Sequence, residues 1–153
     1  MTQKFRCPHC SQGYQSIVRK AYIVHLPHSE VKIPNAEYFE CGTCHERSLE
    51  EKLISQINKI EKIAAGKILL TVAKGGELDM KSVSFLRKVS GIRAVDLANK
   101  LKISKSTISN WDKKDSNLPY YLSILLCSLF ARKLHLESIE KSLKENLNSM
   151  IAC

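Results

Sequence analysis

The sequence predicts a mainly α-helical protein with a small β domain at its N-terminus, and three observations predict it. Two Cys-x-x-Cys pairs, Cys7–Cys10 and Cys41–Cys44, lie in an opening segment rich in proline and in residues with strand character. Beyond Glu46 the apolar residues recur at helical rather than alternating spacing. Between residues 80 and 113 the helical pattern breaks into short pieces joined by tight turns, which is how a helix-turn-helix reads. The chain therefore divides into a four-cysteine, ribbon-like domain over 1–47, a linker helix over 48–76, and a helix-turn-helix bundle with further C-terminal helices over 77–153.

The opening segment, Met1–Glu46, holds four of the six cysteines, four of the five histidines and three of the four prolines. Ile17–Val24 is β-branched and partly alternating, and Tyr38-Phe39 leads into Cys41. So short a segment cannot bury a stable core by itself and needs a staple. Two residues between cysteines let both thiolates of a tight turn point at one ion. Two such turns complete the tetrahedral S₄ shell that zinc favours, with Gly13 and Gly42 easing the backbone where the turns curl. Thirty residues separate the pairs, enough for an extended hairpin. An iron–sulfur cluster would use the same four sulfurs, and a disulfide or two reduced pairs would need no metal. His9 and His45 flank the turns and could replace a cysteine, but they read first as surface residues, as do His25 and His28. Four thiolates leave zinc no open position for water, so the site holds structure.

Ser48-Leu49-Glu50-Glu51 fits a capping box and would open the linker helix. Leu49, Leu53, Ile57, Ile60 and Ala64 then form its stripe, which ends at Gly75-Gly76. Five helices follow: Met80–Val89, stopped by Ser90-Gly91; Ala94–Leu101; Lys105–Lys113, capped by Ser104; a fourth from Pro119, in its first turn, to about Leu134; and Glu137–Met150. Val95, Ala98, Leu101, Ile103, Ile108 and Trp111 are spaced to bury one face of the second and third of these. Lys105, Ser106, Thr107, Ser109 and Asn110 are then left outward, short hydrogen-bonding groups and a cation at the end a recognition helix turns toward base edges. Tyr120–Leu134 reads as a lid on this core, with Cys127 as a buried small hydrophobe. The last stripe, Leu136, Ile139, Leu143, Leu147 and Met150, covers the same core or pairs with a second subunit. Two subunits would set recognition helices about 34 Å apart on a palindrome.

Charge agrees with a polyanionic partner. Twenty-four Lys and Arg face 15 Asp and Glu, leaving +9 and a sequence pI near 9.3. Lys81, Arg87, Lys88, Arg93, Lys100, Lys102, Lys105, Lys113 and Lys114 stand against only Asp96 and Asp112 between Met80 and Lys114. The first residues lack the apolar stretch of a signal peptide, and Tyr120–Phe130 is too short to span a bilayer, so the expected compartment is the cytosol. No glycine-rich phosphate loop and no nucleophile–His–acid set can be assembled, so the sequence predicts no enzyme. A protein-interaction adaptor with only nonspecific DNA affinity is the alternative class.

Cys7-Pro8-x-Cys10-x-x-Gly13 with Ile33-Pro34-x-Ala36-x-x-x-x-Cys41-x-x-Cys44 resembles the YgiT-type zinc finger, the N-terminal domain of MqsA-type antitoxins. Phe85-Leu86-Arg87-Lys88 through Gly91-Ile92 and Leu97-Ala98 to Ile103–Asp112 resembles the Xre/Cro-type helix-turn-helix. The resemblance implies a dimeric bacterial autorepressor of a toxin–antitoxin operon, its zinc domain neutralising an RNA-cleaving toxin and its helix-turn-helix holding a palindromic operator in double-stranded DNA. Carried over, Cys7, Cys10, Cys41 and Cys44 bind zinc, and Lys105, Ser106, Thr107, Ser109 and Asn110 face DNA, with Arg93, Lys102, Lys113 and Lys114 as further contacts. Where such domains open the second helix with Ser or Thr followed by Gln, this chain has Arg93 and Ala94, which implies poorer capping and leaves Arg93 for a phosphate. The same design also occurs in regulators without a toxin.

Overall fold

The structure, a computed structural model, describes residues 4–111, 113 and 116–151. Asp112 and Lys114, named above from the sequence, lie outside the described residues. The chain forms two compact units, Met1–Ile60 and Glu61–Cys153.

The first unit is an antiparallel sheet in the order β1 (Phe5–Arg6), β2 (Tyr14–His25), β3 (Glu30–Cys41) and β4 (Arg47–Leu49). The expected hairpin is β2–β3, running from Gln15↔Cys41 to His25↔Glu30 and closed where Leu26 N–H donates to the Ser29 carbonyl at 2.8 Å. The register slips between Lys20 and Tyr22. There Ala21 faces both Pro34, which has no N–H for a ladder, and Asn35, which tolerates a φ of 52°. One face packs Ala36 and Tyr38 against Leu53 of the following helix, with Val18, Tyr22, Ile33, Leu49 and Ile57 around them.

Helix α1 (Glu51–Ala73) gives its first turns to this small core and its last turns, through Ala65, Leu69 and Val72, to the core of the second unit. It does not open at Ser48. Ser48 pairs with Phe39 in the β3–β4 ladder, and its hydroxyl accepts from the Gln15 amide at 2.7 Å. Gln15 is buried and must find a partner, and a third strand pairing outweighs a cap on an exposed turn. Leu49 accordingly belongs to the sheet, and the buried stripe falls on Ala65 rather than Ala64. At the other end Gly75, at φ 92°, and Gly76 close the helix, Gly76 N–H donating back to the Thr71 carbonyl at 2.9 Å. Asn146 Nδ2 donates to the Ala73 carbonyl at 2.8 Å and satisfies one of the last open acceptors.

The second unit contains α2 (Met80–Val89), α3 (Ala94–Leu101), α4 (Lys105–Trp111), α5 (Tyr120–Lys133) and α6 (Glu137–Ile151). Asp79 caps α2, accepting from Ser82 N–H at 3.0 Å, and Ser90 with left-handed Gly91 ends it. α4 stops at Trp111, so Lys113 lies in a turn rather than in the helix. Pro119 sits just before the first turn of α5, where its missing N–H costs nothing. Leu86, Leu97, Ile108, Ile124, Leu126, Cys127, Phe130 and Leu143 are almost wholly buried together, each large apolar side chain contributing about 1.5–3 kcal/mol. Leu118 N–H donates to Leu78 C=O and Met80 N–H to Ser116 C=O, so the strand-like stretch after α4 is pinned to the one before α2. α6 covers the core through Leu143, with Leu136, Ile139 and Leu147 beside it; Met150, counted in the same stripe, is instead exposed.

Candidate metal centre and nucleic-acid interface

Two turns of matching geometry bring the four thiols together. In the first, Ser11 N–H donates to Cys7 C=O at 3.0 Å and Ser11 takes a φ of 56°. In the second, His45 N–H donates to Cys41 C=O at 3.0 Å and His45 takes a φ of 58°. The left-handed residue is thus the one after the second cysteine of each pair, not Gly13 or Gly42. Gly13 is needed for another reason: a Cβ there would stand 2.5 Å from Cys41 Sγ. Its N–H donates toward Cys10 Sγ at 3.4 Å, and Thr43 N–H toward Cys41 Sγ at 3.4 Å.

All four sulfurs lie within 4.8 Å of one another, with Cys7–Cys44 at 3.7 Å and Cys10–Cys41 at 3.8 Å. A tetrahedron of sulfurs about 2.3 Å from a zinc ion has an edge of about 3.8 Å. The electrostatics fit the same occupant. The N–H groups of Gly13 and Gln12 hold Cys10 down to about 6, and those of Cys44 and Thr43 lower Cys41. The Glu46 N–H favours the Cys44 thiolate too, yet burial and the three neighbouring sulfurs push Cys44 up to about 12. Four sulfurs this close cannot all ionise unless a cation stands among them. Buried Cys7 and Cys41 and partly exposed Cys10 and Cys44 therefore form a four-thiol cluster whose spacing could hold a metal ion. His9 and His45 are exposed and are not in the cluster.

The second surface is built on α3 and α4. Lys102 ends α3 in the left-handed conformation, φ 54°, and Ile103 N–H donates to Ala98 C=O at 3.0 Å, which makes the turn. Ala98 and Leu97 are buried at the crossing with α4, whose Ile108 is also buried. Val95 is exposed, contrary to the spacing argument, because Leu97 takes the inward position in this eight-residue helix. Ser104 Oγ accepts from Thr107 N–H at 3.1 Å and caps α4 as expected. It also meets the hydroxyls of Ser106 and Thr107 at 2.7 and 2.8 Å. Lys105, Ser106, Ser109 and Asn110 are exposed and Thr107 is half-buried, so one face of α4 offers hydroxyls, an amide and a cation to solvent.

Residues 83–130 match the bacteriophage CI repressor helix-turn-helix domain. The matched stretch begins within α2 and ends within α5, so it includes the whole α3–turn–α4 motif and leaves the four-thiol site outside it. No curated protein matches the chain. The chain thus carries a repressor-type, DNA-binding helix-turn-helix behind a small four-thiol β domain. Among the described residues no helix is long and apolar enough to cross a membrane.

The sequence reading missed the state of Arg93. It heads α3 without capping it, and its guanidinium is held by Asp96, Nε to Oδ2 at 2.7 Å and Nη2 to Oδ1 at 2.9 Å. The pair lowers the Asp96 carboxyl below its usual range, Lys133 and Lys100 adding to the effect of Arg93. The i,i+3 spacing of an Arg and an Asp across a helix start was the available signal.

Proposed function

We propose that this protein is a sequence-specific transcriptional repressor that binds a palindromic operator as a homodimer and carries a structural zinc ion in its N-terminal unit. The exposed polar face of α4, within a stretch matching a repressor helix-turn-helix, is the observation that carries this reading. Ser106, Thr107, Ser109 and Asn110 with Lys105 read base edges, while Arg93, Lys102, Lys113 and Lys114 meet phosphates. Cys7, Cys10, Cys41 and Cys44 hold the zinc, which supplies folding energy and no chemistry. The finer reading is an antitoxin, in which the zinc unit neutralises a ribonuclease toxin and the protein represses its own operon in the cytoplasm. The resemblance of the cysteine segment to the YgiT-type finger supports it.

Selection of genomic DNA fragments by the purified protein at physiological salt tests the first claim. Enrichment of a palindrome upstream of its own gene, lost in Asn110→Ala, is the expected result, since one good base contact is worth ~1–3 kcal/mol. Weak, steeply salt-dependent binding without sequence preference would instead leave a protein adaptor. Co-expression with the product of the neighbouring gene tests the second claim: rescue of growth by the Met1–Ile60 unit's partner complex is expected, and absence of any complex removes the antitoxin role.

A further inference from the structure

Asp96 is out of place on charge alone. It stands at the head of α3, the helix that in this motif crosses the phosphate backbone, with Arg93, Lys100 and Lys133 bearing on it. A carboxylate there opposes a polyanion unless it organises a cation. Its geometry does so. Two parallel N–H···O bonds at 2.7 and 2.9 Å fix the plane of the Arg93 guanidinium. They use the Nε hydrogen and one of the Nη2 hydrogens and leave three of the five donors open. The Arg93 side chain remains 76% exposed, so the free edge faces solvent.

We infer that Asp96 is a positioning residue for DNA binding, clamping the Arg93 guanidinium so that its free N–H groups meet a backbone phosphate. This rests on the DNA-binding reading above. The clamp replaces what the chain lacks at this position, a side chain that caps α3 and anchors the motif. An unclamped arginine would have to lose its side-chain freedom on contact; a clamped one has lost most of it beforehand.

The idea has a test of sign. Removing a negative charge beside DNA tightens binding if only Coulomb's law acts. If Asp96 positions Arg93, it weakens binding. Wild type, Asp96→Asn, Asp96→Glu and Arg93→Gln are titrated, across a salt series, with a duplex that wild type selects from a random pool and with a shuffled duplex of equal length. Asp96→Asn is expected to lose about three- to tenfold in affinity for the selected duplex. Its salt slope should fall by about 1, as in Arg93→Gln, and binding to the shuffled duplex should weaken as well, because a phosphate contact does not depend on sequence. Asp96→Glu, which can still reach the guanidinium, should recover wild-type affinity within about twofold. Selected-duplex binding by Asp96→Asn as tight as wild type, or tighter, overturns the inference while leaving the DNA reading intact. A wild type that prefers neither duplex removes both.

Discussion

The two units solve the problem of stability in opposite ways. Among its described residues the first buries Ala36, Tyr38 and Leu53 in its apolar cluster and gathers four sulfurs between two turns. The second, among its described residues, buries nineteen side chains in a core that includes Leu97, Ile108 and Phe130 and has no cluster of three or more potential metal ligands. A unit that cannot remove enough apolar surface from water must close its chain by coordination, whereas one with five packed helices need not. The two should therefore fail under different insults.

Metal removal is the largest expected effect. Structural zinc contributes roughly 10–16 kcal/mol of apparent binding energy, far more than three buried side chains supply. Chelation, or Cys41→Ser, should abolish amide protection across β2 and β3 in hydrogen exchange while α2 to α5 stay protected; loss of both units together would break the contrast. Because the ligands must be thiolates, acidification should release the metal as protons take its place. The converse is Phe130→Ala. It should cost about 3–5 kcal/mol in the second unit and leave the metal stoichiometry of the first unchanged. Calorimetry with metal analysis checks both halves.

A smaller effect separates stability from binding. Lys102 holds a left-handed backbone that glycine adopts freely, and its side chain is exposed. Lys102→Gly should raise the unfolding free energy by about 1 kcal/mol and yet weaken DNA binding, with the salt slope lower by about 1. Denaturant titration and a binding series on one preparation measure the two signs together. The smallest effect concerns Glu140, whose carboxyl is held below its ordinary 4.5 by Lys144 and Arg132. A lowered carboxyl stabilises the fold above its unfolded pKa, and that share is lost as pH falls through the folded value. Glu140→Gln should therefore lower the second unit's stability slightly at neutral pH and flatten its acid limb below about pH 4.5, so that denaturant titrations of mutant and wild type converge in acid.

Much of this contrast was legible in the sequence, because spacing is local. Cys-x-x-Cys fixes a turn, and 3.6-residue periodicity with Ser90-Gly91 and Ser104 fixes the bounds of α2 and α3 and the start of α4. What escaped was decided across the chain. Ser48 has the chemistry of a helix cap, but buried Gln15, thirty-three residues away, takes its hydroxyl. The glycine at position 13 suggested backbone freedom, and its use is room for a sulfur from the other turn. Val95 fitted a stripe whose phase Leu97 actually sets. Arg93 read as a free cation because its i,i+3 spacing to Asp96, the one local sign of their pairing, was left out of a pattern read for apolar faces.

Cys127 lies wholly inside the second unit, and burial pushes its thiol up to about 12. Alkylating reagents attack thiolates that they can reach, so this sulfur stays silent for as long as the helices around it stay closed. Each opening of the core exposes it at an ordinary pKa. The rate at which Cys127 is labelled thus counts those openings directly, a built-in clock for the breathing of the helix-turn-helix unit with and without DNA.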